Sequence, residues 1–179
     1  LNAMIVDSTT LPEQVVRDVV RSAFASAGQR CSALRVLFVQ ANIAKTVLPL
    51  IKGAIAELSV GDPRYLSTDV GPVIDRTAQQ RLRSHLAQLT QNGTLIGQAA
   101  LSNEVAERGT FVAPTAFEIS GIDLLDKEHF GPILHVVKYA AKDLGKVIDS
   151  INNSGFGLTL GVQSRNERTK RKADRRANN

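Results

Sequence analysis

Two kinds of apolar spacing alternate along this chain, and that alternation limits the folds open to it. Runs such as "AMIV" (Ala3 to Val6) and "LRVLFVQ" (Leu34 to Gln40) are short, valine- and leucine-rich and almost unbroken, as strands buried on both faces should be. Between them Val15, Val16, Val19, Val20, Ala23, Phe24 and Ala27 recur at steps of three and four, which gathers them on one face of a helix. The pattern continues with a helix over residues 42–58, kinked at Pro49, a loop dense in Gly, Pro and Asp over 60–75, and a helix over 76–92. "GTLIG", "GTFVAPTAFEI", Ile133 to Tyr139 and "GLTLGVQS" supply further strands, with a helix over 143–152. Strands separated by helical segments specify an α/β domain, a parallel sheet flanked by helices.

Local signals refine this outline. Thr10-Leu11-Pro12-Glu13 has the form of a capping box, with proline in the first turn, and Gly28 is placed to cap the far end of the same helix. Cys31 then falls in the turn between that helix and the next strand.

At 179 residues, 43% of them hydrophobic, the chain is sized for one domain with a substantial core. One cysteine forms no internal disulfide, no apolar run has membrane-spanning length, and the first residues lack a signal-peptide layout. The expectation is a soluble cytoplasmic protein with no membrane partner. The net charge of +5 could point to nucleic acid, but its location argues otherwise. Arg165 to Arg176 holds seven Lys or Arg against two acidic residues, an excess equal to that of the whole chain. The remainder is near neutral, only 4% aromatic, and without zinc-type spacing, so neither nucleic acid nor a metal is expected.

Cys31 invites two readings, a small buried hydrophobe or a nucleophile. A thiol needs cationic or dipolar help to ionise near neutral pH. Arg30 and Arg35 flank it, and the turn after Gly28 leaves backbone N–H groups available to an oxyanion. None of His85, His129 and His135 stands in a base motif, and His135, inside an apolar strand, reads as a packed histidine.

"FASAGQRCSALRVLFV" resembles the catalytic-cysteine segment of the NAD(P)-dependent aldehyde dehydrogenases, F-x-x-x-G-Q-x-C. The resemblance continues in family order through "VGDP" (60–63), "GPVID" (71–75), "GTFVAPT" (109–115), "EHFGPILHVVKY" (128–139) and "NNSGFGLTLGVQS" (152–164). Within that superfamily "GQRCSALR", "STDVGPVID" and "NAMIVDSTTLPEQVV" look most like the L-glutamate gamma-semialdehyde (1-pyrroline-5-carboxylate) dehydrogenase module of bifunctional proline utilization enzymes. The resemblance implies Cys31 as nucleophile toward an aldehyde and Glu128 as the carboxylate that holds the nicotinamide ribose hydroxyls. It implies Phe130 as the aromatic beside that ribose, and Ser32, with Arg30 as a second candidate, near the substrate carboxylate. The implied cofactor is NAD, with NADP left open, and the implied partners are a small aldehyde and further copies of a longer parent chain.

Several family features do not match. The general-base glutamate of E-L-G-G or E-T-G-G, the dinucleotide-binding domain and the glycine-rich loop after the last strand have no counterpart in these residues. The expectations are therefore a catalytic-domain fragment over 1–164, a disordered basic tail over 165–179, and a chain that does not oxidise aldehyde by itself. The alternative is a non-catalytic remnant, or a binding module that acts through the basic tail.

Overall fold

A computed structural model of the chain describes residues 1–155 and 157–177. The elements are β1 (Ala3–Val6), α1 (Pro12–Phe24), β2 (Val36–Gln40), α2 (Ala41–Ala56), α3 (Arg76–Asn92), β3 (Thr94–Gln98), α4 (Asn103–Arg108), β4 (Thr115–Glu118), β5 (Ile133–Tyr139), α5 (Leu144–Asn153), β6 (Leu160–Gln163) and α6 (Glu167–Arg176). The strands form one sheet in the order β3-β4-β5-β2-β1-β6. All neighbours are parallel except the edge pair β3–β4. The parallel sheet expected from the sequence is thus present, with one antiparallel strand at its margin. β3 differs because Thr94, Leu95 and Gln98 face solvent, and such a half-wet strand suits an antiparallel edge better than a buried parallel core.

The core lies where the apolar runs meet. Ile5, Val6, Leu37, Val39, Leu134 and Val136 from the central strands are fully buried, and α1 and α2 pack on each other with Val15, Val19, Val47, Ile51 and Ile55 turned inward. α2 runs without interruption through Pro49.

Two further local expectations are corrected. The capping box does not form, because the helix cap falls on Leu11, whose side chain accepts nothing, and Pro12 opens the helix. The turn before it is organised instead by Asp7, which accepts from the backbone N–H of Thr9 at 2.8 Å and its hydroxyl at 2.6 Å. α1 ends at Phe24, short of Gly28, and Ser26, Ala27 and Gly28 follow with φ of 57°, 51° and 63°.

The basic segment, expected to be disordered, forms α6 over most of its length; residues 178 and 179 lie outside the described chain. Asn166 caps it by accepting from the Arg168 N–H at 2.9 Å, and Thr169 and Ala173, one turn apart, are buried. Arg176 pairs with Asp149 of α5 at 2.7 Å, and Asn152 donates to the Arg176 carbonyl at 2.7 Å. Two small inward residues are too narrow an apolar stripe to read from sequence, yet strong helix formers and a neighbouring helix suffice.

Candidate active site

Cys31, Asn2, Glu128 and Leu158 each stand shortly before a strand, so the amino ends of β1, β2, β5 and β6 bring them together. The left-handed turn after α1 carries the chain back toward β2 and leaves Cys31 exposed. Its backbone, by contrast, is pinned. The Asn2 amide donates to the Cys31 carbonyl at 2.5 Å and to the Ala33 carbonyl at 3.1 Å, while its oxygen accepts from the N–H groups of Leu158 and Thr159 at 3.1 Å each. A buried asparagine has two N–H donors and two carbonyl lone pairs, and here all four are used.

Arg35 ties the cysteine loop to the segment before β5. It is 1% exposed, and its Nε donates to Glu128 Oε1 at 3.2 Å. From the same guanidinium, Nη1 reaches the carbonyls of Gly28 at 2.5 Å and Gly131 at 3.4 Å, and Nη2 reaches that of Arg30 at 3.1 Å. The guanidinium carbon lies 4.8 Å from the centre of the Phe130 ring. A planar fork of five donors is needed for this many partners, which lysine does not offer. Burial pulls the Arg35 guanidinium below its ordinary range, and the Glu128 carboxylate opposes that pull. The two loops approach so closely that a Cβ on Gly28 would lie 2.1 Å from the Gly131 oxygen.

The other motifs converge on the same face. Gln29 accepts from the Ile74 N–H at 2.8 Å and donates to the Pro72 carbonyl at 3.4 Å, which joins G-Q-R-C to G-P-V-I-D. The Val73 N–H bonds the Thr110 carbonyl at 2.9 Å, Gln79 donates to the Phe111 carbonyl at 2.9 Å, and the Thr115 N–H reaches the Pro132 carbonyl at 2.9 Å. Segments far apart in sequence are thereby held as one wall. Phe156, within the "NNSGFGLTLGVQS" match, lies outside the described residues.

Of the residues singled out by sequence, Cys31, Ser32, Glu128 and Phe130 are brought to the two loops that Arg35 joins. Ser32 is half-buried beside Cys31, Glu128 is partly buried, and Phe130 is 46% exposed. Arg30 is exposed, and its side chain turns back to the Arg21 carbonyl at 3.4 Å. Arg35 is no flanking charge: it is spent on Glu128 and three carbonyls. Sequence reasoning missed Asn2 altogether and missed that Arg35 and Glu128 are a pair. An arginine one residue ahead of an apolar strand was the available signal for a buried, paired cation.

A nicotinamide ribose fits this arrangement. Glu128 uses only Oε1 within the chain, since among the described residues its second oxygen carries no protein hydrogen bond, and its side chain is 20% exposed. A carboxylate oriented from behind by Arg35 presents a free acceptor to vicinal hydroxyls, and the open Phe130 ring offers an apolar surface beside it.

Comparison with known proteins agrees with this geometry. Residues 1–178 match the model of the aldehyde dehydrogenase family. The bifunctional protein PutA of Klebsiella aerogenes is 49% identical over 173 residues, which are 94% of this chain and 13% of that protein. A variant of Bradyrhizobium japonicum proline utilization A superimposes with a TM-score of 0.93 at 47% identity, covering 98% of this chain and 18% of that one. An NAD-bound 1-pyrroline-5-carboxylate dehydrogenase from Thermus gives a TM-score of 0.86 at 30% identity, over 98% of this chain and 33% of that one. The chain thus spans about one-eighth of the length of the PutA relative, and the basic helix α6 falls inside the family match. With its fold, its convergent motifs and a family match over nearly its whole length, the chain belongs to the aldehyde dehydrogenase family.

Proposed function

We propose that these residues form part of the catalytic domain of an NAD(P)-dependent aldehyde dehydrogenase of proline catabolism, acting on L-glutamate gamma-semialdehyde. Cys31 is the nucleophile in this reading. Its sulfur, exposed at the end of a pinned loop, attacks the aldehyde carbon and forms a C–S bond, while its own backbone N–H faces the oxygen that gains charge. Bound NAD(P) supplies the acceptor for the hydride that leaves that carbon. Glu128 and Phe130 hold the ribose on one side and Ser32 faces the substrate carboxylate on the other, while Arg30, turned back to the Arg21 carbonyl, reaches that carboxylate only by leaving this contact. The acyl group stays on Cys31 until an activated water releases it, and the E-L-G-G or E-T-G-G glutamate to which the resemblance assigns that step has no counterpart among these residues. The observation that carries the reading is the Arg35 bridge, which brings the cysteine loop and the ribose carboxylate into one unit.

The test is acyl transfer. The 179-residue chain treated with an activated ester takes up one acyl group on Cys31, read by peptide mass spectrometry, and Cys31→Ser takes up none. With glutamate semialdehyde and NAD the chain alone forms at most one NADH per Cys31 and then stops, because each acyl group captured releases one hydride and is not itself released. Acylation at a lysine with Cys31 unmodified would overturn the nucleophile, and steady NADH formation would overturn the block at release.

A further inference from the structure

The three histidines, at positions 85, 129 and 135, are far apart in sequence yet meet in one buried cluster behind Arg35. The Nδ1 of His135, on β5, lies 2.9 Å from the Arg35 carbonyl oxygen, which also accepts the His135 backbone N–H at 3.0 Å. A carbonyl only accepts, so Nδ1 carries the proton of this ring and Nε2 is a bare acceptor. The Nε2 of His85, on α3, stands 2.8 Å from it and is therefore the donor. Every tautomer in the pair follows from one carbonyl.

Burial and the same geometry disfavour the charged forms. A proton added to His135 Nε2 would set two N–H groups against each other at 2.8 Å. A proton added to His85 Nδ1 would place a cation face to face with the His129 ring, whose centre is 3.6 Å away at an interplanar angle of 9°. The charged and titratable groups that face the cluster are Asp126, Lys127, Glu128 and His129 from the segment before β5, and Arg35 from the segment before β2; Gln88 of α3 is a neutral neighbour. Asp126 Oδ1 lies 3.5 Å from His129 Nε2 but is itself largely exposed, so it offers weak compensation for buried cations. Burial accordingly holds His85 down at about 4 and His135 at about 3, and lowers His129 as well.

We propose that His85 and His135 are positioning residues. While both rings are neutral, the pair anchors the carbonyl of Arg35, and the Arg35 side chain in turn sets the Cys31 loop against the Glu128–Phe130 segment. The proposal rests on the reading of Cys31 and Glu128 given above, but its readouts do not depend on acyl transfer.

Two measurements on the full chain test it. In long-range proton–nitrogen spectra of the histidine rings at about pH 6, His135 appears as the neutral Nδ1–H tautomer and His85 as the neutral Nε2–H tautomer. A cationic ring at either position, or a proton on His135 Nε2, overturns the proposal. The second measurement is the rate of Cys31 alkylation by iodoacetamide between about pH 5 and 8, in wild type, His85→Gln and His85→Leu. Glutamine keeps a donor toward His135 and retains the wild-type rate within about twofold, whereas leucine leaves that acceptor bare and shifts the rate about fivefold or more. Equal rates in all three proteins overturn the relay. Should His85→Leu fail to fold by circular dichroism, the tautomers and the His85→Gln profile still decide, because a glutamine variant as perturbed as His85→Ala, which also removes the donor, overturns donor-specific positioning. Alkylation reports where Cys31 sits whether or not it is a catalytic nucleophile, so failure of acyl transfer would sink the proposed function and leave this comparison legible.

Discussion

Arg35, at the threshold of β2, and Glu128, ahead of β5, are 93 residues apart in sequence and are joined by a 3.2 Å ion pair whose cation is almost entirely buried. Removing one partner of such a pair leaves the other desolvated and unmatched. Arg35→Met also strips donors from the carbonyls of Gly28, Arg30 and Gly131, so a loss of about 3 kcal/mol is expected, at the low end for buried pairs because Glu128 is partly wet. Arg35→Lys recovers less than half of it, since an ammonium cannot span four acceptors. Urea unfolding of the three proteins checks this, and a loss below about 1 kcal/mol for the methionine variant would show the bridge to be incidental.

Asn2 makes a second prediction. Asn2→Asp keeps the acceptor toward Leu158 and Thr159 but removes both donors to the cysteine loop, and it buries a carboxylate beside two carbonyls. A destabilisation of about 2–3 kcal/mol is expected, with Asn2→Ala nearly as costly. Faster amide hydrogen exchange at residues 158 and 159 should accompany the alanine variant alone, because only alanine also removes their acceptor.

Stability should depend on pH in a definite direction. The His85 and His135 rings bind protons at about 4 and about 3 in the folded chain, against 6.5 when free of it, so below 6.5 the unfolded chain holds more protons than the folded one. Stability is therefore full above that value and falls on acidification, by up to about 1.4 kcal/mol per pH unit for each ring. His129, lowered by burial, adds in the same sense. The urea midpoint should drop steadily from about pH 6.5 to about pH 4.5 and fall less steeply in His85→Gln; a flat midpoint over that span would contradict the cluster.

Gly28→Ala should be among the most damaging single changes in the loop. The added Cβ meets a backbone oxygen at 2.1 Å, not a movable side chain, and the φ of 63° is unfavourable for alanine. A cost of about 2 kcal/mol or more is expected, together with a changed rate of Cys31 alkylation, since Gly28 and Gly131 can no longer approach. Alanine at Gly53, where a Cβ would meet nothing, is the control and should be neutral or slightly stabilising as a helical substitution.

What the sequence by itself determined was the alternation. Apolar runs at Ala3–Val6, Leu34–Gln40 and Ile133–Tyr139 became the buried centre of the sheet, and the three- and four-residue steps before Cys31 became α1, because burial of a continuous apolar strip is a local property of the pattern. The strings that carry Cys31, Glu128 and Phe130 stood out in the sequence for a different reason, their likeness to a family pattern of fixed spacing. Only the tertiary structure decided what joins them. The reach of Arg35 to Glu128, the four bonds of Asn2, the meeting of His85, His129 and His135, and the docking of Thr169 and Ala173 depend on strands separated by many residues lying side by side. A polar side chain of ordinary type carries no periodic signal, and its role is set by whichever acceptor or donor the packed sheet places within about 3 Å of it.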